Sequence, residues 1–213
     1  MIDRIAPLLV SFLLFASPFI SSCNPVGETA TPRKPPVAPE SVQVRVVEKA
    51  LEVYWKDMPG STHYTIFWGT ESGQYRSMAN VSGTSAMISE VKEGDLYYIA
   101  LTAWNARGES NFSPEQVIAY DTNPEHAMIY LAKGNDAMKR GLANQAHAYY
   151  CAAIRLNPEN ADAYRSRAGL YEAINWNDLA RKDYLTAERL EKNRVVSTRV
   201  SANRPLKSPR SLP

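Results

Sequence analysis

The 213-residue chain is poor in the side chains that carry chemistry, with two cysteines and three histidines. Cys23 follows an apolar N-terminal stretch and Cys151 lies in a helical one, so their settings give no reason to pair them as a structural disulfide. His63, His126 and His147 stand at no spacing that would gather them around a metal ion. The chain also lacks a nucleophile elbow, a phosphate-cradling glycine loop and a dinucleotide fingerprint. Carboxylates are scattered rather than paired in an evident cleft. An excess of one charge is missing too. Its 24 basic and 22 acidic residues leave a net charge of +2, too little for the concentrated basic face that a nucleic-acid binder needs. These absences argue against catalysis, a cofactor, a bound metal and a nucleic-acid partner. What remains is binding, on one or two small cores, the most that this length and 45% hydrophobic content can build.

No long hydrophobic run interrupts the body of the chain. The one apolar stretch, residues 5–16, follows a short polar start with Asp3 and Arg4, and Pro7 and Pro18 bracket a still shorter run. It is shorter than the roughly twenty residues that a membrane-crossing helix requires, so residues 1–22 read as an export signal. The signal ends in Ile20-Ser21-Ser22-Cys23, which resembles the lipobox of bacterial lipoproteins. That resemblance implies cleavage before Cys23 and acylation of the cysteine, palmitate included, with retention growing by about 0.8 kcal/mol per buried methylene. Asn24, rather than an aspartate, then implies the outer membrane of the cell envelope. Residues 23–40 hold five prolines and little to bury, so an extended tether is expected.

From Val42 the pattern takes a period of two. Leu51, Val53 and Trp55 share one face, as do Tyr64, Ile66 and Trp68, and then Tyr97, Ile99, Leu101 and Ala103. Turn signals at Pro59-Gly60, Glu71-Ser72-Gly73, Ser82-Gly83, Gly94-Asp95 and Arg107-Gly108 divide the segment into about seven short strands. Trp55, the stretch from Val91 to Tyr97, and Ala103-Trp104-Asn105-Ala106-Arg107-Gly108-Glu109-Ser110 resemble the fibronectin type III family. The resemblance implies an all-β, Ig-like sandwich over residues 41–120, with Trp55 in its core and Tyr97 as the corner tyrosine. Phe67, Tyr98 and Trp104 alternate outward from that core. They are either partly covered strand aromatics or a docking surface, for the helices that follow or for a partner.

Beyond Asp121 the period changes again. Thr122-Asn123-Pro124-Glu125 carries the capping residue, first-turn proline and early acid of a helix start. An offset of 34 residues pairs Tyr130 with Tyr164, Gly134 with Ala168, Ala146 with Ala180, Tyr150 with Tyr184 and Ala153 with Ala187. That period, with Tyr171 and Pro158 in place, resembles the tetratricopeptide (TPR) family and implies two all-α hairpins over residues 122–192. Gly141 marks the first turn, although its counterpart is Asn175. By analogy with the family, Asn135, Lys139, Arg165 and Glu172 lie on the inner surface, where an extended peptide would bind. Cys151 reads as a small buried filler. Two repeats leave open apolar ends, to be covered by the sandwich, a second copy of the chain or a partner. The basic residues of 193–213 sit among Ser, Pro and Asn, so a disordered tail is expected.

Taken together, the sequence points to a multidomain, lipid-anchored scaffold of the bacterial envelope that binds a protein through its helical groove. The alternatives are an assembly factor for a pilus or secretion complex, and an adhesin or carbohydrate-binding module acting through the sandwich.

Overall fold

The structure, a computed structural model, describes residues 34–202. The expected export signal, Cys23, the start of the expected tether and residues 203–213 lie outside the described residues. The period-two segments form strands β1 (Gln43–Val47), β2 (Ala50–Tyr54), β3 (His63–Gly69), β4 (Ser77–Val81), β5 (Ser85–Ile88), β6 (Leu96–Asn105), β7 (Gly108–Glu109) and β8 (Gln116–Ala119). One sheet has the order β1-β2-β5; the other runs β4-β3-β6, with β7 and β8 both pairing along β6. Every pairing is antiparallel. The inner faces meet over Leu51, Val53, Trp55, Tyr64, Ile66, Ile99 and Leu101, the side chains that alternation places inward. Trp55 packs edge-on against Tyr64 with ring centroids 5.3 Å apart. The Tyr97 hydroxyl accepts from the Lys92 N–H at 2.8 Å, tying β6 to the turn before it. This is a fibronectin type III-like sandwich.

The end of the expected tether belongs to the sandwich. Pro39 is fully buried, and the Lys34 carbonyl accepts from Asn105 Nδ2 at 2.9 Å. Prolines in an extended approach lose little entropy on docking, which favours this.

After β8 the chain makes a single 3-10 turn, Pro124–His126, capped by Asn123, whose side chain accepts from the Glu125 N–H. Four helices follow: α1 (Ala127–Lys139), α2 (Ala143–Leu156), α3 (Ala161–Ala173) and α4 (Asn177–Ala202). The α1–α2 and α3–α4 hairpins repeat in position, α1 starting at Ala127 and α3 34 residues on at Ala161. Their turns repeat as well. Gly141 and Asn175 both take positive φ, 73° and 62°, and the next N–H reaches back five residues, Leu142 to Ala137 and Trp176 to Tyr171. Such left-handed caps satisfy helix-end carbonyls that would otherwise lack partners. Gly134 lies beneath the Tyr150 ring, where a Cβ would come within 2.5 Å of a ring carbon. Glycine at that position sets how closely α1 and α2 approach.

Helix α4 continues to Ala202, well past residue 192, where a disordered tail was expected to begin. The reason is the lack of any proline or glycine between Asn177 and Ala202 to stop it.

Substituting Gly141 places a Cβ in open space, so the only penalty is backbone strain. Gly141→Ala is expected to lower stability by about 1–2 kcal/mol, read as a lower urea midpoint at unchanged slope. Asn175→Gly is expected to raise the midpoint.

Candidate functional site

The two halves meet along β8, α2 and the short linker between sandwich and helices. Asp121, in that linker, is 1% exposed. Its Oδ2 accepts from the Tyr130 hydroxyl at 2.8 Å and lies 2.9 Å from His126 Nδ1, while Oδ1 accepts from the Asn123 N–H at 2.8 Å. Arg155, on α2, donates to two carbonyls of the same stretch, Asp121 O through Nη1 and Ala119 O through Nη2. Gln145 Nε2 donates to the Tyr98 hydroxyl at 2.9 Å. Ala119 and Leu96 of the sandwich pack into the helical core with Tyr130, Leu131 and Tyr150. Residues 34–202 accordingly fall in one compact unit.

Beside this junction lies a cleft of about 580 Å³. Its sandwich wall is built from two neighbouring sheet edges, with Val44 and Val46 on β1 and Val117 and Ile118 on β8. The helical wall presents Ala148, Ala152, Leu170, Ile174 and Trp176. Tyr120 donates to Asp95 O and accepts from Gly94 N–H, so its backbone turns toward the β6 side. Alternation along the strand turns the backbones of Ala119 and Val117 the other way. Arg155 takes the Ala119 carbonyl, and Val117 faces the cleft. The cleft therefore combines apolar walls with an open β-edge.

The residues singled out from the sequence are dispersed around this body. Tyr98 is 5% exposed and is held by α2, so of the two docking options it serves the helices. Phe67 packs instead with Phe112 and Tyr75, at centroid distances of 5.1 and 6.1 Å. Burial, helped by the Glu115 carboxylate 2.9 Å away, pushes the Tyr75 phenol up to about 12. Trp104 stacks on His63 and donates its Nε1 to Thr65 Oγ1 at 3.0 Å. The three aromatics thus make no common patch. On the helices, Asn135 accepts from the Tyr150 hydroxyl at 2.9 Å, Arg165 pairs with Glu191, and Glu172 accepts from the Tyr184 hydroxyl at 2.9 Å. Arg165 and Glu172 thereby brace α3 against α4. Neither these three nor the exposed Lys139 lines the cleft.

Cys151 lines the cleft and is only half-buried, which corrects its reading as buried filler. One turn before it, His147 lines the same wall. The spacing of His147 and Cys151, four residues apart on a helix, was the available signal for this pair. Among the described residues, no group of three or more His, Cys, Asp or Glu side chains is placed to hold a metal ion. Among them, too, no helix is long and apolar enough to cross a membrane.

No protein-family model matches the chain, and no curated protein matches it. Solved structures do resemble part of it. An Fn3-like protein from Clostridium thermocellum is 23% identical over 41% of this chain and 95% of its own, with a TM-score of 0.38. The sixth fibronectin type III domain of human fibronectin type III domain containing protein 3 is 21% identical over 39% of this chain and 84% of its own, with a TM-score of 0.37. A fibronectin type III domain of human collagen XX is 16% identical over 39% and 91%, with a TM-score of 0.36. The sandwich assignment itself stands on the strand order, the buried Trp55 and the Tyr97 corner.

Burial pushes the Asp121 carboxyl up, but its bonds to His126, the Asn123 N–H and Tyr130 outweigh that and hold it below its usual 3.8. The stability it contributes is fully present above that value and is lost as pH falls through the lower, folded one. Acid titration is expected to show this loss by circular dichroism. Asp121→Asn is expected to be less stable at neutral pH and to show a shallower acid slope.

Proposed function

We propose that this chain is a lipid-anchored, non-catalytic binding protein of the bacterial cell envelope whose cleft receives an extended segment of a protein partner. The observation that carries the reading is the open β8 edge at Val117, set opposite the apolar wall of α2 and α3. An added strand takes its affinity from main-chain hydrogen bonds and its specificity from pockets for alternate side chains. The edge supplies the first, and the gap lined by Leu170, Ile174 and Trp176 supplies the second.

We read the helical hairpins as tetratricopeptide repeats. The shared 34-residue spacing of helix starts and the matching turns at Gly141 and Asn175 support this. Residues of the array that reach the cleft come from α2, from Leu170 of α3 and from Ile174 and Trp176 in the turn before α4, so the proposed contact lies between array and sandwich rather than along Asn135, Lys139, Arg165 and Glu172. The anchor rests on the sequence Ile20-Ser21-Ser22-Cys23, and an outer-membrane position rests on Asn24. A scaffold holding its partner at the membrane fits these features best. An assembly factor for a pilus or secretion complex would use the same cleft.

A photo-reactive amino acid at Trp176, 54% exposed in the cleft, and at Met78, 69% exposed on β4, tests the site in the full lipoprotein. Irradiated envelopes are expected to give a discrete protein adduct from position 176 and none from 78. The reverse result would move binding to the sandwich's other edge and contradict the proposal. Cys23→Ser is expected to abolish palmitate labelling and to release the protein from the membrane fraction.

A further inference from the structure

Cys151 keeps unusual company. Its Sγ is 3.5 Å from His147 Nε2 and 3.4 Å from Arg167 Nη1. Arg167 cannot swing away, because its Nε and Nη2 hold the two oxygens of buried Asp183 at 2.7 and 2.9 Å. The rings of Tyr164 and Tyr171 flank its guanidinium carbon, with centroids 5.8 and 5.7 Å away. His147 is also fixed, its Nε2 lying 3.0 Å from the Tyr171 hydroxyl. Two fixed nitrogen groups therefore converge on one sulfur at the wall of a cleft that small molecules can enter. Hairpin packing does not require this. The corresponding position in the second hairpin, 34 residues on, is Leu185, which is 57% exposed.

We propose that Cys151 is a redox modification site, a thiol oxidised to the sulfenic acid by hydrogen peroxide or a small alkyl hydroperoxide that reaches it through the cleft. The thiol proton passes to His147 Nε2, leaving a thiolate beside the Arg167 cation. The sulfur attacks one peroxide oxygen; the S–O bond forms as the O–O bond breaks. Sulfur is oxidised by two electrons and the peroxide is reduced by the same two. The departing hydroxide or alkoxide takes the proton back from His147 and leaves as water or alcohol. Arg167 stabilises the negative charge as it moves from sulfur to the leaving oxygen, which a fixed cation next to the reacting atom does well. The same cation, 3.4 Å from the sulfur, works against a metal ion there. Burial pushes the Cys151 thiol up, but His147 and Arg167 outweigh it and hold the thiol below its usual 9.0. A low thiol pKa with partial exposure is what makes a cysteine oxidisable. Oxidation needs access for a small peroxide and no bound partner.

The test exposes the full chain to hydrogen peroxide at pH 7 with dimedone present to trap sulfenic acid, and follows the Cys151 peptide by mass spectrometry. The Cys23 peptide is read separately. The folded chain is expected to form the Cys151 adduct several-fold faster than the urea-unfolded chain, because His147 and Arg167 at 3.5 and 3.4 Å favour the thiolate only in the folded state. His147→Gln, which keeps a polar contact for Tyr171, is expected to remove most of that advantage. So is Arg167→Met combined with Asp183→Leu, which leaves no unpaired buried carboxylate. Melting curves of both variants accompany the rates. Equal rates in folded and unfolded wild-type chains would overturn the proposal, as would unchanged rates in variants that remain folded. If neither variant folds, the comparison of folded with unfolded wild type decides alone.

Discussion

The arrangement of this molecule depends on one junction, the grip of Arg155 on the carbonyls of Ala119 and Asp121. A linker as short as Tyr120-Asp121-Thr122 leaves the helices little freedom of placement. It does not by itself set an angle. The angle comes from the Asp121 carboxylate, buried and bonded to Tyr130 of α1, His126 of the first turn and the Asn123 N–H. Its backbone carbonyl binds α2 while its side chain binds α1. A buried carboxylate with every bond made is directional, whereas the apolar contact of Ala119 and Leu96 with the helical core is not. Burial brings the halves together, and the polar contacts determine where they stop.

From that placement the cleft follows. Two hairpins are too few to bury their own faces, and the sandwich covers part of the first by packing β8 on α2. The remaining gap between β1, β8, α2 and α3 is the cleft. The far side of the array stays open, with Leu179 and Leu185 on α4 exposed by 39% and 57%. The sandwich therefore acts as the cap at one end of the array, and its own outer aromatics are divided among Phe112, His63 and Gln145 rather than pooled.

Much of the fold was legible because its signals are local. Alternation at Leu51-Val53-Trp55 and Tyr97-Ile99-Leu101 marks strands whose inner faces are buried, and the 34-residue pairing of Tyr130 with Tyr164 marks a repeat. The glycine turns at Gly60, Gly73, Gly94 and Gly108 all take positive φ. The turn at Lys49, with φ 58°, escaped notice because no glycine or asparagine marks it. The site was less legible because it is built across the chain. Nothing near Val117 in sequence shows that α2 will face it, and nothing near Cys151 shows that Arg167 will reach it. The inner-surface positions taken by analogy with longer arrays assumed a groove along α1 and α3. In this structure Arg165 and Glu172 are committed to α4.

If the Arg155–Asp121 junction joins the halves into one body, they should unfold together. Differential scanning calorimetry of residues 34–213 tests this most directly. A single transition with equal calorimetric and van't Hoff enthalpies is expected, splitting into two when Arg155 is replaced by methionine. Two transitions in the unaltered protein would contradict it and leave the cleft without a fixed shape.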